Sequence, residues 1–247
     1  MNNGPVLVED SNVSDAWLRA LKAVLATPKH EIAPLIVVVH ADNSGALAES
    51  SFVRVSLDRM LKVNGWPPCR SVASSIFPTS LWNPARPRAD LFTRYNRLRA
   101  RLRRVHSPGR YFERLVDYGR GPTALNQLDK ILNARKSGVT RRSLLQAGVF
   151  DPWQDHTNQR RRGFPCLQQV SFAPIAGGLL AVNGFYATQY ISDRAYGNYL
   201  GLADLGRFVA HELGIRLGRV TCVAGLALLG KVKVREMREL VCQIDAE

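Results

Sequence analysis

Residues 163–172 read Gly-Phe-Pro-Cys-Leu-Gln-Gln-Val-Ser-Phe, and residues 189–198 read Gln-Tyr-Ile-Ser-Asp-Arg-Ala-Tyr-Gly-Asn. In the first run Pro165-Cys166 stands at the edge of a strand, Leu167–Phe172. The second run follows a strand, Leu179–Tyr190, and opens a helix, Leu200–Leu213, in which Leu205, Phe208, Val209 and Leu213 keep helical spacing before Gly214 stops it. Val220–Leu229 then reads as a last strand. Upstream, Arg141-Arg142 sit between a helix stop at Gly138 and a strand, Ser143–Phe150. The loop that follows carries Asp151-Pro152-Trp153 and Arg160-Arg161-Arg162.

The N-terminal half continues the alternation. Ser14 can cap a helix running to Ala26, with Trp17, Leu18, Leu21, Val24 and Leu25 on one face. Leu35–His40 is a β-branched run, expected as a buried strand. Leu57–Val63 reads as helix, Pro78–Pro87 as a connector, and Leu91–Val105 as a helix crowded with arginines. A further helix begins at Thr123 and carries Leu125, Leu128, Ile131 and Leu132. The expected chain is a single α/β (α+β) domain over residues 1–247.

Composition narrows the function classes. Hydrophobic residues are 46% of the 247, enough for one large core, and no apolar run reaches membrane-spanning length. The N-terminus lacks the basic start and apolar core of a signal peptide, so a cytoplasmic protein is expected. Cys69, Cys166, Cys222 and Cys242 form no Cys-x-x-Cys pair, and the histidines show no zinc-ligand spacing. No metal site is expected, and each cysteine needs an explanation in packing or reactivity. A net charge of +14 favours anionic partners: phosphorylated small molecules, nucleic acid or an acidic surface.

Taken as chemistry alone, a cysteine among arginines favours the thiolate, because nearby guanidinium charge stabilises the ionised form. The same arginines suit phosphate oxygens. Asp193 and Asn198 offer proton transfer and amide recognition of a heterocycle. The bland readings stand beside these: a packed thiol, a solvated strand edge, a turn aspartate and a helix-capping asparagine.

The ordered set Asn126-Gln127-Leu128, Arg141-Arg142, Pro165-Cys166, Gln189 to Asp193 and Tyr196-Gly197-Asn198 resembles the thymidylate synthase superfamily, over roughly residues 123–227. Residues 123–230 would then be the recognisable catalytic half and 1–122 a divergent N-terminal half. The resemblance implies a large mixed or antiparallel sheet flanked by helices, with one sheet face forming the interface of a homodimer. It implies that Cys166 adds to C6 of a pyrimidine nucleotide, so that C5 takes a one-carbon unit (methyl or hydroxymethyl) from 5,10-methylenetetrahydrofolate. Asn198 would bond the pyrimidine edge. Gln189 belongs to the same substrate-binding segment. Arg141 and Arg142 would hold the phosphate from the partner subunit. Asp193 takes the place of the family's active-site aspartate once a gap is allowed.

Departures narrow this. Tyr190, or Ala187 in the ungapped register, stands where the family has a phosphate-binding arginine, and Leu167 replaces the histidine after the nucleophile. Gly225–Gly230 lacks the sugar-binding His-x-Tyr, and only 17 residues follow Gly230, little room for a segment closing over folate. The expected enzyme is therefore a divergent relative. Two alternatives stay open: a non-catalytic nucleotide-binding or interaction protein on the same fold, and a nucleic-acid-binding protein using the Arg94–Arg104 helix.

Overall fold

A computed structural model describes residues 4–105, 111–119, 124–156 and 165–247 of the chain. Thr123 and Arg160–Arg162 lie outside the described residues, as do the side chains of residues 102–105.

The first strand, β1 (Val6–Asp10), leads into helix α1 (Val13–Ala26). The α1 cap is Asn12, whose side chain accepts from Ser14 N–H. Ser14 is thus not the cap. Its hydroxyl lies inside, 2.8 Å from Tyr196 Oη, and accepts from Ser50 N–H. Short strand β2 (Glu31–Ile32) and β3 (Leu35–His40) follow, then α2 (Ser51–Val63), α3 (Cys69–Ile76), α4 (Arg88–Val105) and α5 (Tyr111–Val116). Helix α6 (Gln127–Lys136) is capped by Asn126. The remaining elements are β4 (Gln146–Gly148), a single-turn α7 (Pro152–Asp155), β5 (Leu167–Ile175), β6 (Leu179–Tyr190), α8 (Tyr196–Glu212), β7 (Arg216–Leu228) and α9 (Val234–Asp245).

The strands form one mixed sheet in the order β1-β3-β7-β6-β5-β4, with β2 pairing beside β7. β1 with β3 and β6 with β7 run parallel; the remaining pairs are antiparallel. Helix α8 is the crossover between β6 and β7, and it is buried along nearly its whole length. A helix apolar all round has to be covered on every side. Here the sheet covers one side and α3 the other. The α3 contact depends on Gly197 and Gly201: a Cβ on them would stand 2.5 Å from Cys69 O and 2.8 Å from Ala73 O.

Sequence and structure differ at several boundaries. The segment expected as strand Ser143–Phe150 opens with a 3-10 turn, Arg142–Leu144, and only Gln146–Gly148 pairs. The last strand starts earlier, at Arg216. The helix expected from Leu200 starts at Tyr196, continuous with a π-helical turn over Ile191–Ala195. That continuity removes the capping role read for Asn198, which lies inside the helix.

All the main helix–sheet packing uses one sheet face, through Leu35, Val37, Val39, Val182, Val220 and Cys222. On the alternate positions of the same strands Leu7 and Phe185 are exposed, and Ile36, Val38 and Val223 are half-buried. Among the described residues, no helix is long and apolar enough to cross a membrane.

Candidate active site

Cys166 immediately precedes β5. Its carbonyl accepts from Ala187 N–H on β6 (3.1 Å) and from Gln168 Nε2 (3.3 Å). Leu167 pairs with Tyr186, and the register slips between Leu167 and Gln169. Such an irregularity locally twists a strand and re-aims the side chain next to it. The thiol is half-buried. Burial raises its pKa above the ordinary value, Arg194 pulls it back down, and Asp193 pushes it up.

Asp193 and Arg194 come from the π-helical turn that ends β6. Trp17 Nε1 of α1 donates to Ile191 O at 2.8 Å, and Ser192 N–H donates to Leu229 O at 2.8 Å, so the turn is clamped from both sides. Only 1% of the Asp193 side chain is exposed. Its carboxylate accepts from Ser192 Oγ (3.1 Å) and Lys231 N–H (3.3 Å), and pairs with Arg194 Nε at 3.4 Å. Asn198 follows Arg194 by about one helical turn. It is 3% exposed.

Several groups around the thiol were not picked out from the sequence. Tyr111, at the start of α5, feels burial most strongly, which raises its pKa, and Cys166 adds to the rise. Arg194 and the Leu167 and Cys166 N–H groups oppose it. Behind these lie Tyr186 and Tyr199, whose buried hydroxyls have no partner among the described residues. Burial raises both phenols, and Cys222 acts on each in the same direction. Gln189 is 2% exposed and donates Nε2 to Cys222 Sγ at 3.2 Å, so that donor is engaged within the core. Arg194 was visible as a charge inside the quoted run. The tyrosines carried no sequence signal beyond apolar spacing.

Arg141 and Arg142 are exposed and stand at the other end of the β4–β5 pair. Gln146 pairs with Ser171, which is five residues beyond Cys166, about 17 Å along a strand. Within one chain the two arginines are therefore not brought to the thiol.

Other candidates are accounted for by packing. Cys69 and Cys222 are buried, and burial pushes Cys222 up to about 12. On α4, Arg94 donates to Leu81 O (2.9 Å) and Arg99 pairs with Asp117, while Arg97 and Arg101 are exposed. The described residues contain no group of three or more His, Cys, Asp or Glu side chains able to hold a metal ion. Neither a family model nor a curated protein sequence matches the chain. The fold and site together define an α/β protein with a half-buried thiol acted on by a paired guanidinium and buried carboxylate.

Proposed function

We propose that the chain is a thymidylate-synthase-like transferase. It adds the Cys166 thiolate to C6 of a pyrimidine nucleotide, so that C5 acquires a methyl or hydroxymethyl group. The observation that carries this reading is the half-buried Cys166 thiol acted on by the Asp193–Arg194 pair, with the largely buried Asn198 one turn further along the same helix. Local positive charge favours a thiolate, and Arg194 supplies some of it against burial and Asp193. An amide offers one acceptor and two donors, matching the alternating edge of a pyrimidine. Covalent addition divides a difficult substitution at C5 into easier steps: C5 bonds the methylene carbon and loses its proton, the thiolate is expelled, and the exocyclic carbon takes either a hydride from tetrahydrofolate, which leaves as dihydrofolate, or water, which leaves tetrahydrofolate.

The one-carbon donor in this reading is 5,10-methylenetetrahydrofolate, a co-substrate that supplies the C5 substituent. One feature suits a pterin ring: Trp153, 92% exposed on the α7 turn. That turn starts next to Phe150, whose N–H donates to Gln168 O at 3.0 Å, so it lies near the start of β5.

The homodimer belongs to the same proposal. The face carrying Leu7, Ile36, Val38, Phe185 and Val223 also carries Glu9, His40, Asn183 and Thr221, and it lies on strands whose other face is already packed; a second copy of the sheet would cover this mixed surface. In this reading Arg141 and Arg142 of one chain serve the thiol of the other.

The test is intact-protein mass spectrometry with 5-fluoropyrimidine nucleotides, with and without methylenetetrahydrofolate. A covalent adduct that maps to Cys166 is expected. Folded protein that forms no adduct with any of them would refute the transferase reading. One observation favours the non-catalytic alternative: burial lifts the thiol above its ordinary pKa. Nucleotide binding that survives Cys166→Ala, with no turnover by wild type, would decide for it.

A further inference from the structure

Between Arg86 and Arg101 six arginines and no lysine stand against a single acid, Asp90. In the sequence these arginines run around the whole of α4; the structure sorts them by side. Arg88 and Arg99 turn inward, where Arg88 bonds Asp129 (2.8 Å) and Glu212 (3.1 Å) and Arg99 pairs with Asp117. Three carboxylates brought against α4 by its neighbours are thus taken up by its inner side. With about 3.6 residues per turn, Arg94, Arg97 and Arg101 fall within about 60° of one another, facing away from Arg88 and Arg99. Arg97 and Arg101 are exposed, and Arg86, just before the helix, is 63% exposed. Asp90 shares this side, held between Arg86 (3.8 Å) and Arg94 (3.9 Å), so four arginines face outward with one acid. The two rings of α4 turn the other way: Tyr95 is buried against Phe112, and Phe92 packs beside Phe208.

We infer that the outer face of α4 docks duplex nucleic acid along its phosphate backbone, through Arg94, Arg97 and Arg101 with Arg86 at one end. Guanidinium forks present two parallel donors to two phosphate oxygens. A rise of about 1.5 Å per residue sets successive arginines about 4.5–6 Å apart along the axis, so that neighbouring forks reach separate phosphates. Arg97 and Arg101, four residues apart, repel each other on the free helix, and a polyanion laid along the stripe relieves that repulsion. Unpaired bases need rings to stack on, and the rings of α4 are turned inward, which favours paired strands read by backbone alone. Leu98 is the exposed large apolar residue described on α4, too little to enter a bilayer, which favours nucleic acid over a membrane. The net charge of +14 adds long-range attraction to the same partner. The inference is independent of the chemistry at Cys166.

Fluorescence anisotropy with a labelled DNA duplex of about 20 base pairs and arbitrary sequence tests it. Wild type should bind, and should lose affinity on the order of 100-fold between about 50 and 200 mM salt. Arg97→Gln/Arg101→Gln should bind at least about tenfold more weakly at the lower salt, with the salt slope reduced by about two. Arg97→Lys/Arg101→Lys keeps the charge without the forks, so it should keep the slope and recover part of the affinity. Arg235→Gln/Arg238→Gln removes the same charge from exposed positions on α9 and should bind as wild type does. Equal weakening in the α9 variant would overturn the inference, because net charge alone would then explain binding. No binding at the lower salt, or affinity unchanged in Arg97→Gln/Arg101→Gln, would overturn it as well. A single strand of the same sequence bound as tightly would refute the duplex assignment. Displacement of the duplex by phosphatidylserine vesicles would give the face to a membrane instead. The adduct at Cys166 is read separately, so failure of either proposal leaves the other standing.

Discussion

The Asp193 carboxylate and the backbone of Gly230 are in direct contact: a Cβ on Gly230 would lie 2.4 Å from Asp193 Oδ1 and as close to Ser192 Oγ. Gly230 also has φ +111°, a conformation that side chains rarely adopt. The turn after β7 therefore closes over the buried aspartate only because that residue is glycine. Gly230→Ala should destabilise the protein by about 2–3 kcal/mol in urea unfolding, combining backbone strain with a displaced buried carboxylate. It should also change the alkylation rate of Cys166. A loss below about 0.5 kcal/mol with an unchanged rate would mean that the turn relaxes without moving Asp193.

Stability should fall in alkali. Burial raises the Cys166 and Cys222 thiols above 9.0, Cys222 to about 12, and lifts the Tyr186 and Tyr199 phenols well above 10.0. A folded-state pKa raised above the unfolded one means that the fold prefers the protonated group. That preference is fully present below the unfolded values and is lost as pH climbs through the folded ones. Urea unfolding should give a flat profile up to about pH 9 and then a decline of up to about 1.4 kcal/mol per pH unit for each such group. The rate of Cys166 alkylation should still be climbing at pH 9 rather than levelling off below it. A stability that holds or rises to pH 11 would contradict the burial assigned to these groups.

The orphan hydroxyls give opposite signs for stability and activity. Tyr186 and Tyr199 each bury an Oη without a partner. Removing an unsatisfied polar atom while keeping the ring is expected to stabilise, by about 1 kcal/mol for Tyr186→Phe. If the hydroxyl is retained for the reaction at Cys166, adduct formation should slow in the same variant. A destabilised Tyr186→Phe would show that the hydroxyl has a partner in solution.

What the sequence made legible follows from which signals are local. Leu35–His40 and Leu179–Tyr190 are strands with the expected bounds, because β-branched runs and period-two burial need no tertiary context. Helix α3 was missed: Ser71, Ser74 and Ser75 are poor helix formers, and the element exists because Gly197 and Gly201 let α8 approach it. Helix α9 is legible in the sequence, with Met237, Leu240, Val241 and Ile244 at helical spacing. In the site, Cys166, Asp193 and Asn198 could be placed by order along the chain. Arg194 and the tyrosines could not, because their facing depends on a π-helical turn and a strand irregularity. The Arg141–Arg142 assignment needs a second chain, which no single-chain pattern supplies.

Arg88 joins three helices. Its guanidinium bonds Asp129 (2.8 Å) and Asn133 on α6 and Glu212 (3.1 Å) at the end of α8, and its side chain is 12% exposed. Burial opposes the charged form, while these carboxylates hold it. Arg88→Met keeps the stem and leaves the nearly buried Glu212 with only Lys136, at 3.7 Å. A loss of about 2 kcal/mol is expected by urea unfolding, since an uncompensated buried charge is costly. The combined Arg88→Met/Glu212→Gln variant should recover part of it. Equal losses in the single and double variants would mean that the pair contributes nothing beyond packing.

The sheet face supplies the prediction with the widest reach. If two copies pair through it, Phe185→Asp buries a charge in the interface and should convert the dimer to monomer in light scattering with little change in the far-ultraviolet spectrum. The site would then lose Arg141 and Arg142 of the other chain, so monomeric protein should also fail to form the nucleotide adduct. Mixing closes the argument. Inactive Cys166→Ala and inactive Arg141→Ala/Arg142→Ala proteins, combined in equal amounts and allowed to exchange, yield about half mixed dimers. Each mixed dimer holds one site with both the thiol and the arginines, so adduct formation should return to about a quarter of wild type. No recovery, with exchange verified, would mean that the arginines do not serve the partner's thiol. Recovery without any dimer in solution is not possible, so the scattering and mixing results have to agree.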